Sequence, residues 1–433
     1  MIAKLATQPG RSPSTISCSV GGFSSERDEL LCDGVGLSAV AALAGTPVHV
    51  YSATLLEARY RAFELPFKSV RHRIHYAIKA NSTLDIVRRL YRLGAGIDAN
   101  SGGEIEVALR AGAAPGDIVF TGVGKTEAEL RRAIGLGVRA INAESFGEVA
   151  RISALATAVG ATARIAIRIN PDVDAGSHPH ISTGSKATKF GVSIDDARAM
   201  IAEVRRHSGV TLVGLHVHVG SQVTRVDPIR RSVEAVAELA KQVMAGGIPL
   251  QHLDLGGGAG ISYRSEHAEL APSDYAAAVL PAAAGTGLEL LFEPGRWIVG
   301  PTGVLVTRVV DLKQKGSDGW FVIVDAGMTD LLRPALYGAW HEIEPVSPRP
   351  GHRIIADIVG PVCETTDAFA TARSLPSVEV GDLLAIRDTG AYGAVMASNY
   401  NRRPIAAEVI VDAGGPHVIR RRQTVDELLQ WET

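Results

Sequence analysis

Cysteine is scarce in this chain: Cys18, Cys32 and Cys363 are the only three in 433 residues. Their number and spacing support neither a disulfide framework nor a zinc site, and a reducing cytoplasm is the simplest setting. Long apolar runs are also missing. No stretch of about 18 apolar residues occurs, so no ordinary membrane-spanning helix is expected. The N-terminal MIAKLATQPGRSPSTIS lacks the apolar centre of a secretory signal. Neither charge sign is in excess: 44 Lys and Arg face 46 Asp and Glu, a net charge of −2. That leaves no basic footprint for nucleic acid or for an anionic membrane surface. Aromatic residues make up only 5%. What remains, 46% hydrophobic and 21% charged, is the composition of a globular protein. The length exceeds one ordinary core and points to two domains.

Residues 1 to about 25 are rich in Ser, Gly and Pro without a clear period and read as peripheral. TPVHVY (46–51) reads as a strand, and Ser52 can cap a helix over 53–63. A regular alternation then begins. Short apolar runs at 74–78, 95–98, 117–121, 139–142, 163–169, 211–217, 251–255 and 288–292 alternate with stretches of helical period. Eight strands with intervening helices predict a closed (β/α)8 TIM-type barrel over 46–300. No helix-like stretch follows the eighth run, so the helix at 53–63 is expected to complete the outer ring. After Pro301, strand candidates at 303–312, 319–325, 352–359, 382–387 and 404–411 predict a C-terminal β-sandwich or barrel-like domain over 301–433. Residues 1–45 form a separate segment, expected to pack on that β domain.

Polar and Gly-rich peptides follow the strands in phase, at the end where barrel active sites form. HYAIKAN (75–81) leaves Lys79 at the end of the first strand. A lysine held by a rigid element and partly desolvated has a lowered pKa and suits Schiff-base chemistry, although a strand-end lysine can equally be a surface residue. Asp98, ending the second strand, would lie beside Lys79 and tune it, or would cap the next helix. GGGAG (256–260) can bring backbone N–H groups close to a phosphate, or can simply be a tight turn. EPGR (293–296) places a carboxylate at the barrel mouth, able to hold a pyridine nitrogen protonated, and a guanidinium able to grip an anion. Glu293 and Arg296 could instead pair with each other. His216 and His218 invite a metal-hydrolase reading. The other strand ends offer Lys, Gly and Glu, and a flat imidazole stacked on an aromatic cofactor suits His218 better. His216 by itself reads as a core histidine. In the second domain, Cys363 with Glu364, Arg333 with Tyr337, and the Gly-flanked Tyr392 are individually unspecific.

Taken in order, YAIKAN (76–81), GIDANSGGE (96–104), FTGVGK (120–125), RINPDVD (168–174), HPHISTGSKATKFG (178–191), GLHVHVGSQ (214–222), LDLGGGAGI (253–261), EPGR (293–296), LLRPALYGA (331–339), PVCETTD (361–367) and GAYG (390–393) resemble the fold-type III pyridoxal-phosphate-dependent decarboxylases. Within that family the resemblance is to the branch acting on meso-2,6-diaminopimelate. It implies pyridoxal 5′-phosphate as cofactor and a cytoplasmic homodimer with active sites at the subunit interface. Lys79 would hold the cofactor covalently, and His218 would stack on its ring. Ser221, Gly256, Gly257, Gly258 and Tyr392 would hold the phosphate. Glu293 would meet the ring nitrogen, with Asp98, Pro294, Gly295 and Arg296 also around the cofactor. Arg296, Arg333, Tyr337 and Tyr392 would contact substrate. Cys363 would reach the neighbouring subunit's site as acid, with Glu364 reading the substrate's far end. Thr365 departs from the serine commoner in this loop. The implied reaction is decarboxylation to L-lysine. The runner-up is decarboxylation of ornithine, lysine or arginine on the same scaffold, and a cofactor-carrying protein without turnover is a third reading. Glu364 with Arg296 and Arg333 favours a substrate whose far centre carries both an ammonium and a carboxylate.

Overall fold

The computed structural model describes residues 22–26, 28–173, 189–264, 266–316 and 319–432. Cys18, most of HPHISTGSKATKFG and the last residue of RINPDVD lie outside them. Eight parallel strands close a barrel in sequence order: β5 (His72–Ala77), β6 (Gly96–Ala99), β7 (Ile118–Phe120), β8 (Ala140–Ala143), β9 (Ala163–Ile169), β10 (Val210–Val217), β11 (His252–Asp254) and β12 (Glu289–Phe292). The circle shuts where Leu290 to Phe292 of β12 pair with His72 to Ile74 of β5. These strands are the predicted runs to within two residues. They are nearly all buried because helices cover one side and packed side chains fill the other.

The ring helices are α3 (Leu84–Arg92), α4 (Gly102–Ala111), α5 (Glu127–Leu136), α6 (Phe146–Ala158), α7 (Ile194–Val204), α8 (Val226–Ala245) and α9 (Pro272–Ala283). Their starts are written in the sequence. Ser101, Ser145 and Ser193 each accept the N–H three residues on, and Thr126 with Glu129 forms a reciprocal capping box. After β12 comes only a single turn, α10 (Arg296–Val299). The gap is filled from the other end of the chain by α2 (Ala53–Glu64), capped by Ser52 as expected. Here the scarce aromatics gather. Phe63 packs on Phe67, Tyr275 and Trp297 at ring distances of 5.6–5.8 Å, and Phe67 lies 4.1 Å from Phe292. Each such buried ring contributes roughly 1.5–3 kcal/mol by removal from water.

The second domain is built on one long strand, β13 (Gly303–Lys315), which pairs antiparallel with β14 (Gly319–Val324) along its outer half. Its inner half pairs with β18 (Leu383–Ile386) and with β4 (Val48–Ser52). The sheet continues through β16 (Arg353–Val359) and β17 (Ala368–Pro376) on one side and through β19 (Ala407–Asp412) and β20 (Gly415–Arg420) on the other. A short β15 (Ile343–Pro345) pairs with β18. The turn α11 (Arg333–Tyr337) and a final helix α12 (Val425–Leu429) complete it.

Two expectations are corrected here. The strand at 46–51, assigned with the barrel by a boundary at 46, lies instead between β13 and β19 of the second sheet. All five of its residues are buried, which only a central strand with both faces covered permits. Residues 22–25, within the stretch read as peripheral, are also not merely peripheral. β1 (Phe23–Glu26), β2 (Glu29–Cys32) and β3 (Val35–Gly36) form a small antiparallel sheet, and α1 (Leu37–Ala44) follows. Leu30, Cys32, Leu37 and Val40 share one apolar cluster with Val48, Val304 and Val409, so this segment packs on the β domain. Among the described residues, no helix is long and apolar enough to cross a membrane.

Candidate active site

The C-terminal ends of the barrel strands and two segments of the second domain line a cavity of about 290 Å³. Lys79, Asn100, Arg168, Phe190, His218, Ser221, Glu293, Arg296, Tyr337 and Tyr392 face it, together with Gly258 and Gly295. Lys79 does not sit on the strand itself. β5 ends at Ala77, and the lysine rides a single 3-10 turn, Ile78–Ala80. Its Nζ lies 3.3 Å from Asp98 Oδ2 and 3.3 Å from Asn100 Oδ1.

The electrostatics of Lys79 reverse one expectation. Burial acts to strip its charge, but Asp98, Tyr392 and Glu293 outweigh burial and hold the amine above the ordinary lysine range. The partly desolvated lysine is therefore cationic, not neutral. Asp98 is fully buried; burial and Glu293 raise its pKa while Lys79 lowers it, and the close contact supports an ion pair. Asp98 does not cap the following helix, since Ser101 does that.

Glu293 is buried just past β12. Burial opposes its ionisation, but contact with His216 Nε2 at 3.2 Å and the charge of Lys79 win, and its pKa falls below the carboxylate range. Its Oε1 has no hydrogen-bond partner among the described residues. Asp254, close by, is pushed well above its ordinary value by burial and by Glu293. The expected alternative, a Glu293–Arg296 pair, does not form. Arg296 donates instead to Tyr263 Oη at 2.7 Å and to Ser221 Oγ at 2.9 Å, and stacks 4.7 Å over the Tyr392 ring. His216 and His218 do not converge either. His216 groups with Asp254 and Glu293, their ligand atoms within 4.8 Å of one another, while His218 faces the cavity. The Gly257 N–H donates to His218 Nδ1 at 3.1 Å, and burial with the nearby Lys79 charge keeps this imidazole neutral.

The glycine loop forms the tight turn that is one of its two readings. Gly256 and Gly258 have φ of +66° and +105°, and a Cβ on Gly257 would lie 2.1 Å from the Glu293 carbonyl. The turn is sterically required, and the same bareness exposes backbone at the cavity. Gly295 works alike: a Cβ there would meet Ala80 Cβ at 2.9 Å, so the glycine lets the β12 loop lie against the lysine turn. The Pro294 carbonyl accepts the Ala77 N–H at 3.2 Å and ties the two loops together.

Of the expected residues, Asp98, Gly256, Gly257, Pro294, Arg333, Cys363 and Glu364 do not line the cavity. Cys363 and Glu364 are exposed in the loop between β16 and β17 and do not line it. Arg333 is buried behind it, 4.5 Å over the Tyr263 ring and donating to His341 Nε2 at 2.7 Å. Arg168, at the head of RINPDVD but without an implied role there, is a site residue. Near the end of β9, it pairs with Glu144 at 3.0 Å, stacks on Phe190 and faces the cavity. An arginine inside the otherwise apolar end of a buried strand was the available signal.

The residues fit pyridoxal 5′-phosphate by their chemistry. An amine, a buried carboxylate with a partnerless oxygen, a flat neutral imidazole and a bare glycine loop converge on one cavity. The family model described as "Pyridoxal-dependent decarboxylase, pyridoxal binding domain" matches residues 53–300. A diaminopimelate decarboxylase of Pseudomonas aeruginosa is 46% identical over 411 residues, 95% of this chain and 98% of that protein. The diaminopimelate decarboxylase of Helicobacter pylori, solved in complex with L-lysine, superposes with a TM-score of 0.88 at 41% identity, covering 92% of this chain and 99% of the other. That of M. jannaschii, also with L-lysine, gives 0.91 at 34% identity over 95% and 98%.

Proposed function

This chain belongs to the diaminopimelate decarboxylase family of pyridoxal-dependent decarboxylases, and from that premise we propose that it converts meso-2,6-diaminopimelate to L-lysine and carbon dioxide. The observation that carries this is the convergence of Lys79, Glu293, His218 and the glycine loop on one cavity with Arg296 at its rim. When bound, pyridoxal 5′-phosphate supplies an electron sink for the pair left when carbon dioxide departs.

The chain's residues supply the rest. Lys79 would hold the cofactor through its amine, and its side chain faces the cavity where the reacting centre would lie. Asp98 and Asn100 fix its Nζ. Glu293, ionised and backed by His216, would meet the ring nitrogen and keep it protonated. His218 would stack on the ring. Backbone at Gly258, with Ser221 and Tyr392, would receive the phosphate, while the Gly256 and Gly257 N–H groups are held by Asp254 and His218, and Pro294 and Gly295 hold the loop in register. Arg296 and Tyr337 bind substrate carboxylate and amino groups, and Arg333 supports them through Tyr263. The bond from Cα to the carboxylate breaks, its electron pair stays with Cα, and one proton is added there. Since Cys363 and Glu364 lie outside their own cavity, the acid and the far-end reader come from a second copy, in a cytoplasmic homodimer.

Two measurements test the reading. Carbon dioxide release should be fastest with meso-diaminopimelate, and preference for ornithine, lysine or arginine would overturn the substrate. Borohydride should fix the cofactor onto Lys79, and an unlabelled Lys79 would sink the cofactor reading. Cys363→Ala should lose most turnover yet still be labelled at Lys79; full activity would remove the thiol from the mechanism.

A further inference from the structure

Asn81 closes the lysine peptide and is 2% exposed. Both ends of its amide are used. Its Oδ1 accepts the Thr83 N–H at 3.0 Å, and its Nδ2 donates across the domain boundary to the Gly390 carbonyl at 3.1 Å. Beside this bond runs a second, from the Tyr392 N–H to the Ala80 carbonyl at 2.8 Å. The Lys79 turn and the Tyr392 loop are therefore stitched by a pair of bonds, 80 to 392 and 81 to 390.

The loop side of this stitch has no slack. A Cβ on Gly390 would lie 1.9 Å from the Val299 carbonyl, and the Gly390 N–H donates to Gly300 at 3.0 Å. Tyr392 itself has φ of +57°, left-handed backbone that a bulky side chain adopts only when its surroundings impose it. Its ring faces the same cavity as Lys79. One amide thus joins a turn carrying the amine to a strained loop carrying a cavity tyrosine, and those two elements belong to different domains.

We propose that Asn81 is a positioning residue acting through Tyr392: its amide holds the strained loop on the Lys79 turn, so that the amine and the tyrosine hydroxyl meet one cofactor. This rests on the cofactor reading above. If correct, the tyrosine hydroxyl is useful only while Asn81 holds its loop.

The test is a double-mutant cycle on cofactor affinity, measured by titrating apoprotein with pyridoxal 5′-phosphate and following its absorbance, with circular dichroism as the folding control. The variants are Asn81→Asp, Tyr392→Phe and the pair. Asn81→Asp keeps an acceptor for Thr83 but loses the donor to Gly390. It should weaken the cofactor about tenfold or more, equal to about 1.4 kcal/mol. The pair should bind no more weakly than the worse single variant, because both changes remove one coupled interaction. If Asn81→Asp does not fold, Asn81→Ser, too short to reach Gly390, takes its place in the same cycle. Wild-type affinity in the Asn81 variant, or effects that multiply in the pair, would overturn the proposal. Failure of the wild-type apoprotein to bind cofactor at all would strike the proposed function instead.

Discussion

Replacing Asp98 by asparagine should make Lys79 a faster amine. Asp98 lies 3.3 Å from the lysine Nζ and is fully buried, whereas the Lys79 side chain is 34% exposed. An opposite charge at that range shifts a pKa by about 1–3 units, and the solvent reaching Lys79 argues for the lower part, about 1–2. An amide in place of the carboxylate keeps the side chain's shape and removes only the charge. With Lys79 held above its ordinary range, the neutral amine is rare at working pH, so lowering the pKa by about 1–2 units raises its population about 10- to 100-fold. The assay mixes apoprotein with saturating pyridoxal 5′-phosphate, quenches with borohydride at intervals and weighs the Lys79 peptide. Covalent capture near pH 7.5 should be about 10- to 100-fold faster in Asp98→Asn, an advantage that holds until pH approaches the variant amine's own pKa. An unchanged or slower rate would mean that Asp98 does not keep the amine charged.

Glu104 bonds the Asn100 N–H, and its carboxyl is pushed up to about 7 by burial, which that bond only partly offsets. A folded-state pKa above the unfolded value means that stability falls as pH rises from about 4.5 to 7. Glu104→Gln should therefore gain about 1–3 kcal/mol over wild type at pH 8 and little at pH 4.5; urea melts showing the same gap at both would refute this. Gly257→Ala sets a Cβ 2.1 Å from the Glu293 carbonyl, a backbone atom with no room to move. It should lose about 1–3 kcal/mol in a urea melt, and wild-type stability would show that the loop can shift.

The barrel was legible because its strands are short apolar runs, each followed by a polar or Gly-rich peptide, a local pattern repeated eight times. β17 was not, because AFATARSLP is mostly Ala, Ser and Thr, and Phe369 and Leu375 alone are too few large apolar residues to mark a strand. The membership of β4 was illegible for another reason. Its buried pattern says that it is central but not in which sheet, and its partners are given by residues 303–306 and 407–411. The site divides in the same way. Lys79, His218, the glycines and Glu293 each follow a strand at the active end of the barrel, so their meeting could be read from phase alone. The sign of the Lys79 shift could not, since it depends on whether burial or the charges of Asp98 and Glu293 prevail. The seat of Arg333, behind Tyr263, turns on contacts between domains that no local pattern encodes.

The position of β4 also sets a timetable. On the ribosome this strand emerges before any of the barrel, yet its nearest partner, Gly303–Val306, follows only after Ser52 and the whole barrel have been made. At about 5–20 residues per second, roughly 250 intervening residues take on the order of 12–50 s. During that interval the five residues VHVYS, all buried in the finished fold, have no sheet to join. α1 and the β1–β3 sheet, which emerge earlier still and pack on the same cluster, are placed to shelter this strand until β13 and then β19 arrive. Removal of residues 22–45, which pack on this strand in the finished fold, should therefore be felt in yield before it is felt in turnover.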